Sequence, residues 1–127
     1  MKEEAEIIQS QLDALLAQPC IPFPAARDPL EAPSSHGVYI IRESDVVLHV
    51  GRTLRGRNGL RGRLEAHIHG SSSFARAYLE HDGNRLRRNC AYQYFELGDG
   101  RQRALLEALA VGTLCPKHIG LGKSKEA

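Results

Sequence analysis

Ile7, Ile8, Leu12, Leu15 and Leu16 recur at helical spacing, so the pattern predicts an amphipathic helix over residues 3–17. Five prolines then fall within residues 19–33, which argues against regular structure and for an extended connector, lying across the domain or swinging free. Two short runs rich in Val and Ile, near 37–42 and 46–50, flank a polar turn and read as a hairpin. Leu60, Leu64 and Ile68 mark one stripe of a second helix, and a third is expected near 73–82, ended by Gly83. Residues 89–96, "NCAYQYFE", read as a third strand. Asp99 is a suitable N-cap for a helix over 100–114, stopped by Pro116. The order, α then ββααβα, predicts an α+β fold: a small three-stranded antiparallel or mixed sheet flanked by helices, with an N-terminal helix. It divides as helix and connector over 1–35, a domain over 36–122 and a polar tail over 123–127.

Bulk composition narrows the class without naming a function. A chain of 127 residues, 42% hydrophobic and 25% charged, can bury one core. Its apolar runs fall short of a membrane span, and the acidic amphipathic start resembles neither a secretory signal nor a transit peptide. Cys20, Cys90 and Cys115 are odd in number and form no CxxC pair, which suggests reduced thiols and a cytoplasmic setting. A net charge of +2 is too small to declare a polyanion partner, so local clustering has to carry that case. The stretch 52–63, "RTLRGRNGLRGR", does so: Arg52, Arg55, Arg57, Arg61 and Arg63 stand among glycines with no acid. Arginine matches phosphate oxygens bidentately, and backbone N–H groups can help. Arg85, Arg87 and Arg88 form a second basic cluster.

The candidate chemistry lies in and after the hairpin. With a three-residue loop of Glu43, Ser44 and Asp45, Arg42 faces Val46 and Tyr39 comes directly opposite His49 on one face. Arg63 and His67 are one helical turn apart, about 100° from the leucine stripe, at the border of core and solvent; this is the rim of a cleft or an ordinary solvated face. Glu107 stands within "ALLEALAV" and needs a boundary position or a partner, either a divalent metal or an arginine, with Arg101 and Arg103 within reach on the same helix.

In this order, "GVY" at 37–39, "HVG" at 49–51, "RGRLEAH" and "RALLEALAVGTLCPKHIG" resemble the GIY-YIG nuclease domain family over roughly residues 36–120, with histidine where the second tripeptide usually begins with tyrosine. The resemblance implies a metal-dependent DNA endonuclease. Tyr39 would act as general base toward water, its pKa lowered by Arg63 and the metal, and Arg63 would also stabilise the transition state. Glu107 would hold Mg²⁺ (or Mn²⁺), and His67 would orient water or Tyr39. His49 would replace the second phenol and could accept a proton near neutral pH. Arg52, with Arg55, Arg57 and Arg61, would contact DNA backbone phosphates. The alternative is a catalytically weak or inactive DNA-binding or protein-interaction module on the same fold, and the N-terminal helix offers a stripe for homodimerisation.

Overall fold

The computed structural model describes residues 3–119 other than 55 and 57. Helix α1 (Glu4–Leu16) opens with a capping box between Glu3 and Glu6. Strands β1 (Ile21–Pro22), β2 (Gly37–Glu43) and β3 (Val46–Arg52) precede three helices: α2 (Gly59–Ile68), α3 (Ser73–Ala77) and α4 (Asn84–Asn89). Strand β4 (Cys90–Glu96) and helix α5 (Gly100–Leu114) follow. Asp99 caps α5 as expected, its Oδ1 accepting from Gln102 N at 2.9 Å.

The fold is α+β, but the sheet has four antiparallel strands, in the order β1-β4-β2-β3, rather than three. The additional strand comes from the proline-rich connector, where Ile21 and Pro22 pair with Tyr92 and Ala91. A proline is tolerated there because β1 is an edge, where a missing N–H removes no interior ladder bond. The connector lies across the domain: Phe23, Leu30 and Ala32 are buried with α2, α3 and α4 against one face of the sheet. It also starts α2, since Leu60 N donates to Ser35 O and Arg61 N to Pro33 O in place of a side-chain cap. Gly59 permits this approach, because a Cβ there would lie 2.1 Å from Ser34 O, at a φ of +49°.

The opposite face carries the second core, built from Val38, Ile40 and Val50 under α1 and α5. The α1 stripe of Ile8, Leu12 and Leu15 is spent on this intramolecular contact. The expected homodimer through α1 is therefore not supported: the apolar face that would drive it is already covered. Two further expectations change. The helix expected over 73–82 ends at Ala77, because Glu80 and His81 take left-handed conformations (φ 54° and 67°). Gly83 then begins a short helix, α4, where the sequence had shown only a basic cluster.

The hairpin register also differs. The turn is Ser44-Asp45, with Ser44 at φ 55°, and Glu43 pairs with Val46. A β-bulge follows: Arg42 pairs with Val47 and Ile41 with His49, leaving Leu48 as the extra residue. Tyr39 consequently stands opposite Gly51 rather than His49. The two rings still share a face, as diagonal neighbours with centroids 6.0 Å apart.

Candidate active site

Gly51 is what lets Tyr39 lie across the strand. A Cβ at Gly51 would sit 2.4 Å from Tyr39 Oη and 2.6 Å from Cζ, well inside van der Waals contact. The ring is buried, yet it lines a cavity of about 770 Å³ at the free edge of β3, where the two helical layers meet. His49, Arg52, Arg63, Glu107 and His118 also line this cavity. Five of the sequence-predicted residues thus converge from β2, β3, α2 and α5.

His67 lies beneath them, fully buried rather than at the border of core and solvent. Its Nε2 is 2.6 Å from Tyr39 Oη and its Nδ1 is 2.6 Å from Ser72 Oγ. Burial, reinforced by the neighbouring His49, Arg63 and His118, which disfavour a second cation, holds its pKa well below the ordinary histidine value, so it is neutral at pH 7. Burial likewise pushes the Tyr39 phenol above its ordinary value, and Arg63 beside it offsets this only in part. The arginine-lowered phenol expected from the sequence is thus not what these residues alone produce.

His49 stacks on Phe74, with centroids 4.5 Å apart and planes 11° from parallel. Burial and then the neighbouring His118 lower its pKa to about 3. It is a neutral hydrogen-bonding group at pH 7, not the proton acceptor near neutrality that the sequence suggested. Its Nδ1 lies 3.2 Å from Nδ1 of His118, so one of these nitrogens carries a proton and the other accepts it. His118 is the cavity residue that the sequence left unassigned. Backbone bonds place it: Lys117 N donates to Val47 O and His118 N to the bulge carbonyl Leu48 O. No helical or strand periodicity runs through Pro116, so the sequence carries no signal for that contact.

Glu107 is half-buried and pairs with Arg52, Nη1 to Oε1 2.9 Å, instead of Arg101 or Arg103. Burial raises its pKa, and Arg52 and Arg63 pull it back. Arg101 pairs with Glu4 on α1. Arg103 is buried and binds four carbonyls: Nε to Thr53 O, Nη1 to Leu97 O and Gly98 O, and Nη2 to Leu54 O. It thereby fixes the loop leaving β3, with Leu54 at the cavity rim.

The other basic residues divide. Arg61 donates from Nε to Ala32 O and does not line the cavity, so its first role is to hold the connector. Arg55 and Arg57 lie outside the described residues. In the second cluster Arg85 pairs with Glu43, Arg88 with Asp82, and Arg87 donates to Pro24 O and Ala25 O. Arg85 and Arg87 are thus held half-buried by the protein's own oxygens, while Arg88 stays exposed in its pair with Asp82.

The donor set suits a hard divalent cation. Among the described residues no three His, Cys, Asp or Glu side chains group as a metal cage, and Glu107 Oε2 has no hydrogen-bond partner. One cavity-lining carboxylate with a free oxygen matches Mg²⁺, which keeps most of its waters and takes the rest of its ligands from phosphate. No helix among the described residues is long and apolar enough to cross a membrane, and Cys20, Cys90 and Cys115 are unpaired.

No protein-family model matches the chain, and no curated protein does. Among solved structures it is similar to the GIY-YIG N-terminal endonuclease domain of UvrC from Thermotoga maritima, bound to magnesium. The identity is 20% and the TM-score 0.49, over 92% of this chain and 97% of that one. A tyrosine-to-phenylalanine variant of that domain, bound to its catalytic divalent cation, is similar to the same degree, covering 96% of its chain.

Proposed function

We propose that the chain is a divalent-metal-dependent DNA endonuclease that hydrolyses phosphodiester bonds. The observation that carries this reading is the convergence of Tyr39, Arg63 and Glu107 on one cavity beside a basic loop. Phosphodiester hydrolysis needs a proton acceptor for water, a cation for the phosphoryl charge and a stabilised leaving oxygen. Tyr39 is the acceptor: it lines the cavity while its ring is locked by Gly51 and His67. Arg63 serves the phosphoryl oxygens and favours the phenolate, opposing the burial that disfavours it. Glu107 would hold Mg²⁺ or Mn²⁺, which when bound supplies charge neutralisation at the phosphate. His49, neutral and braced by His118, offers a hydrogen bond where a second phenol would stand. Arg52 and the basic loop meet backbone phosphates, so affinity should fall steeply with salt.

One observation favours the alternative, an inactive DNA-binding module: Arg52 already occupies one oxygen of Glu107. Purified protein incubated with supercoiled plasmid and Mg²⁺ or Mn²⁺, with EDTA as control, separates the two. Cleavage that is lost in Tyr39→Phe and Glu107→Gln supports the enzyme. A metal-independent mobility shift without cleavage supports the module, and cutting by both variants at the parental rate refutes the residue assignment.

A further inference from the structure

Ser72 biases the hydrogen-bond accounting around Tyr39: among the described residues its hydroxyl proton has His67 Nδ1 as its acceptor, whereas Tyr39 lines the cavity, from which an acceptor for the phenolic proton can enter. Its hydroxyl is buried, accepts from Ala75 N at 3.1 Å as the N-cap of α3, and lies 2.6 Å from His67 Nδ1. A hydroxyl has one proton to give, and buried polar groups use theirs. Among the described residues, His67 Nδ1 is the acceptor within reach of that proton. If Nδ1 carried the proton instead, it would donate to Ser72, and the Ser72 hydroxyl hydrogen would be left without a partner. A neutral imidazole protonated on one nitrogen accepts on the other.

We propose that Ser72 is a positioning residue that fixes His67 in the Nε2–H tautomer, so that the imidazole donates to Tyr39 Oη and leaves the phenolic proton facing the cavity. The donors then run in one direction: Ala75 N–H to Ser72, Ser72 O–H to His67 Nδ1, and His67 Nε2–H to Tyr39. The opposite polarity would have Tyr39 give its proton to His67 and hold it away from the cavity. In the polarity proposed here, the proton leaves Tyr39 toward the cavity, and the phenolate that remains accepts an N–H bond at 2.6 Å. A hydrogen bond to the charged form favours that form. This deepens the reading of Tyr39 as proton acceptor and rests on it for its catalytic meaning, whereas the tautomer itself does not.

The test is a long-range ¹H–¹⁵N correlation spectrum of the ¹⁵N-labelled, metal-free full chain near pH 7.5, with His67 assigned by the signals missing in His67→Gln. The expected spectrum shows Nε2 protonated and Nδ1 bare; a protonated Nδ1 overturns the proposal. In Ser72→Ala the tautomer should shift toward Nδ1–H and kcat for plasmid cleavage should fall at least about tenfold with KM held, as for an acid–base group whose protonation state is wrong. Ser72→Thr should restore both. Ser72→Ala that is folded, keeps Nε2–H and cuts at the parental rate also overturns it. Should Ser72→Ala fail to fold, the parental spectrum decides alone. An Nε2–H tautomer in a protein that cuts no DNA would support the donor chain and count against the nuclease reading, so the two fail separately.

Discussion

Replacing Gly51 by alanine should be far more damaging than a single methyl suggests. The added Cβ would lie 2.4 Å from Tyr39 Oη, 2.6 Å from Cζ and 3.1 Å from Cε2, so the ring has to move. Tyr39 is fully buried, and its hydroxyl is held by His67 at 2.6 Å, so movement breaks packing and a hydrogen bond together. Overpacking of this kind costs about 1–3 kcal/mol, and the lost bond adds about 1 kcal/mol. The sum, about 2–4 kcal/mol, corresponds to a fall in Tm of about 8–16 °C at roughly 4 °C per kcal/mol for a domain of this size. Thermal unfolding followed by circular dichroism measures it, with Gly98→Ala as control, since a Cβ at Gly98 meets nothing within 4 Å. Because the damage passes through one ring, Gly51→Ala and Tyr39→Ala combined should cost clearly less than their sum. A Gly51→Ala protein that melts within about 2 °C of the parent would refute the reasoning. Full additivity in the double variant would show that the glycine serves something other than Tyr39.

Three further outcomes follow from other parts of the molecule. His49 keeps a pKa of about 3 in the fold against an ordinary 6.5, so the unfolded chain takes up a proton between those values and the folded chain does not. Stability present above pH 6.5 should therefore be lost as pH falls, by about 2 kcal/mol at pH 5 through His49 alone; equal urea midpoints at pH 7.5 and 5 would contradict this, and His49→Phe should reduce the slope without abolishing it, because buried His67 is also held below its ordinary value. Arg103→Met should cost about 3 kcal/mol in denaturant unfolding, because four carbonyls lose a charged donor, with Arg103→Lys recovering only part. Leu12→Ala should cost about 3 kcal/mol as a cavity in the α1–α5 core, with no concentration dependence in sedimentation; a variant that instead splits a parental dimer would restore the dimerisation role of α1.

How much of this was legible in the sequence depends on whether the signal was local. The helix over 100–114 and its Asp99 cap are local, and so are the apolar stripes of α1 and α2. The strand at Ile21–Pro22 was not, since two residues carry no period and the prolines argue against it; only the unpaired edge of β4 makes it a strand. The same holds for α3, cut short by two left-handed residues that are not glycine. In the site, Tyr39, His49, Arg52, Arg63 and Glu107 meet at one cavity, while the partners each one takes were hidden. Glu107 chose Arg52, 55 positions away in the chain, over arginines on its own helix, because Arg103 was already consumed by backbone carbonyls. His118 had no pattern to announce it, and the pKa of His49 followed from burial and then from that same His118, while its stacking partner Phe74 sits in a helix of five residues.

The bulge at Leu48 has a consequence for insertions and deletions. Were Leu48 to take a place in the ladder instead of being set aside, the pairing beyond the turn would continue unshifted, bringing Ile40 opposite His49 and Tyr39 opposite Val50. The imidazole would then project into the layer beneath α1 and α5, and a branched side chain would stand where the phenol needs a glycine. No single substitution would repair both faults, since every residue of β3 past that point would be on the wrong face. Deleting Leu48 is the milder change: Ile41 would still meet His49 and Tyr39 would still meet Gly51, in a regular ladder, but the carbonyl that receives His118 N would be gone. The spare residue therefore belongs to His118, and the strand tolerates its loss better than a second one.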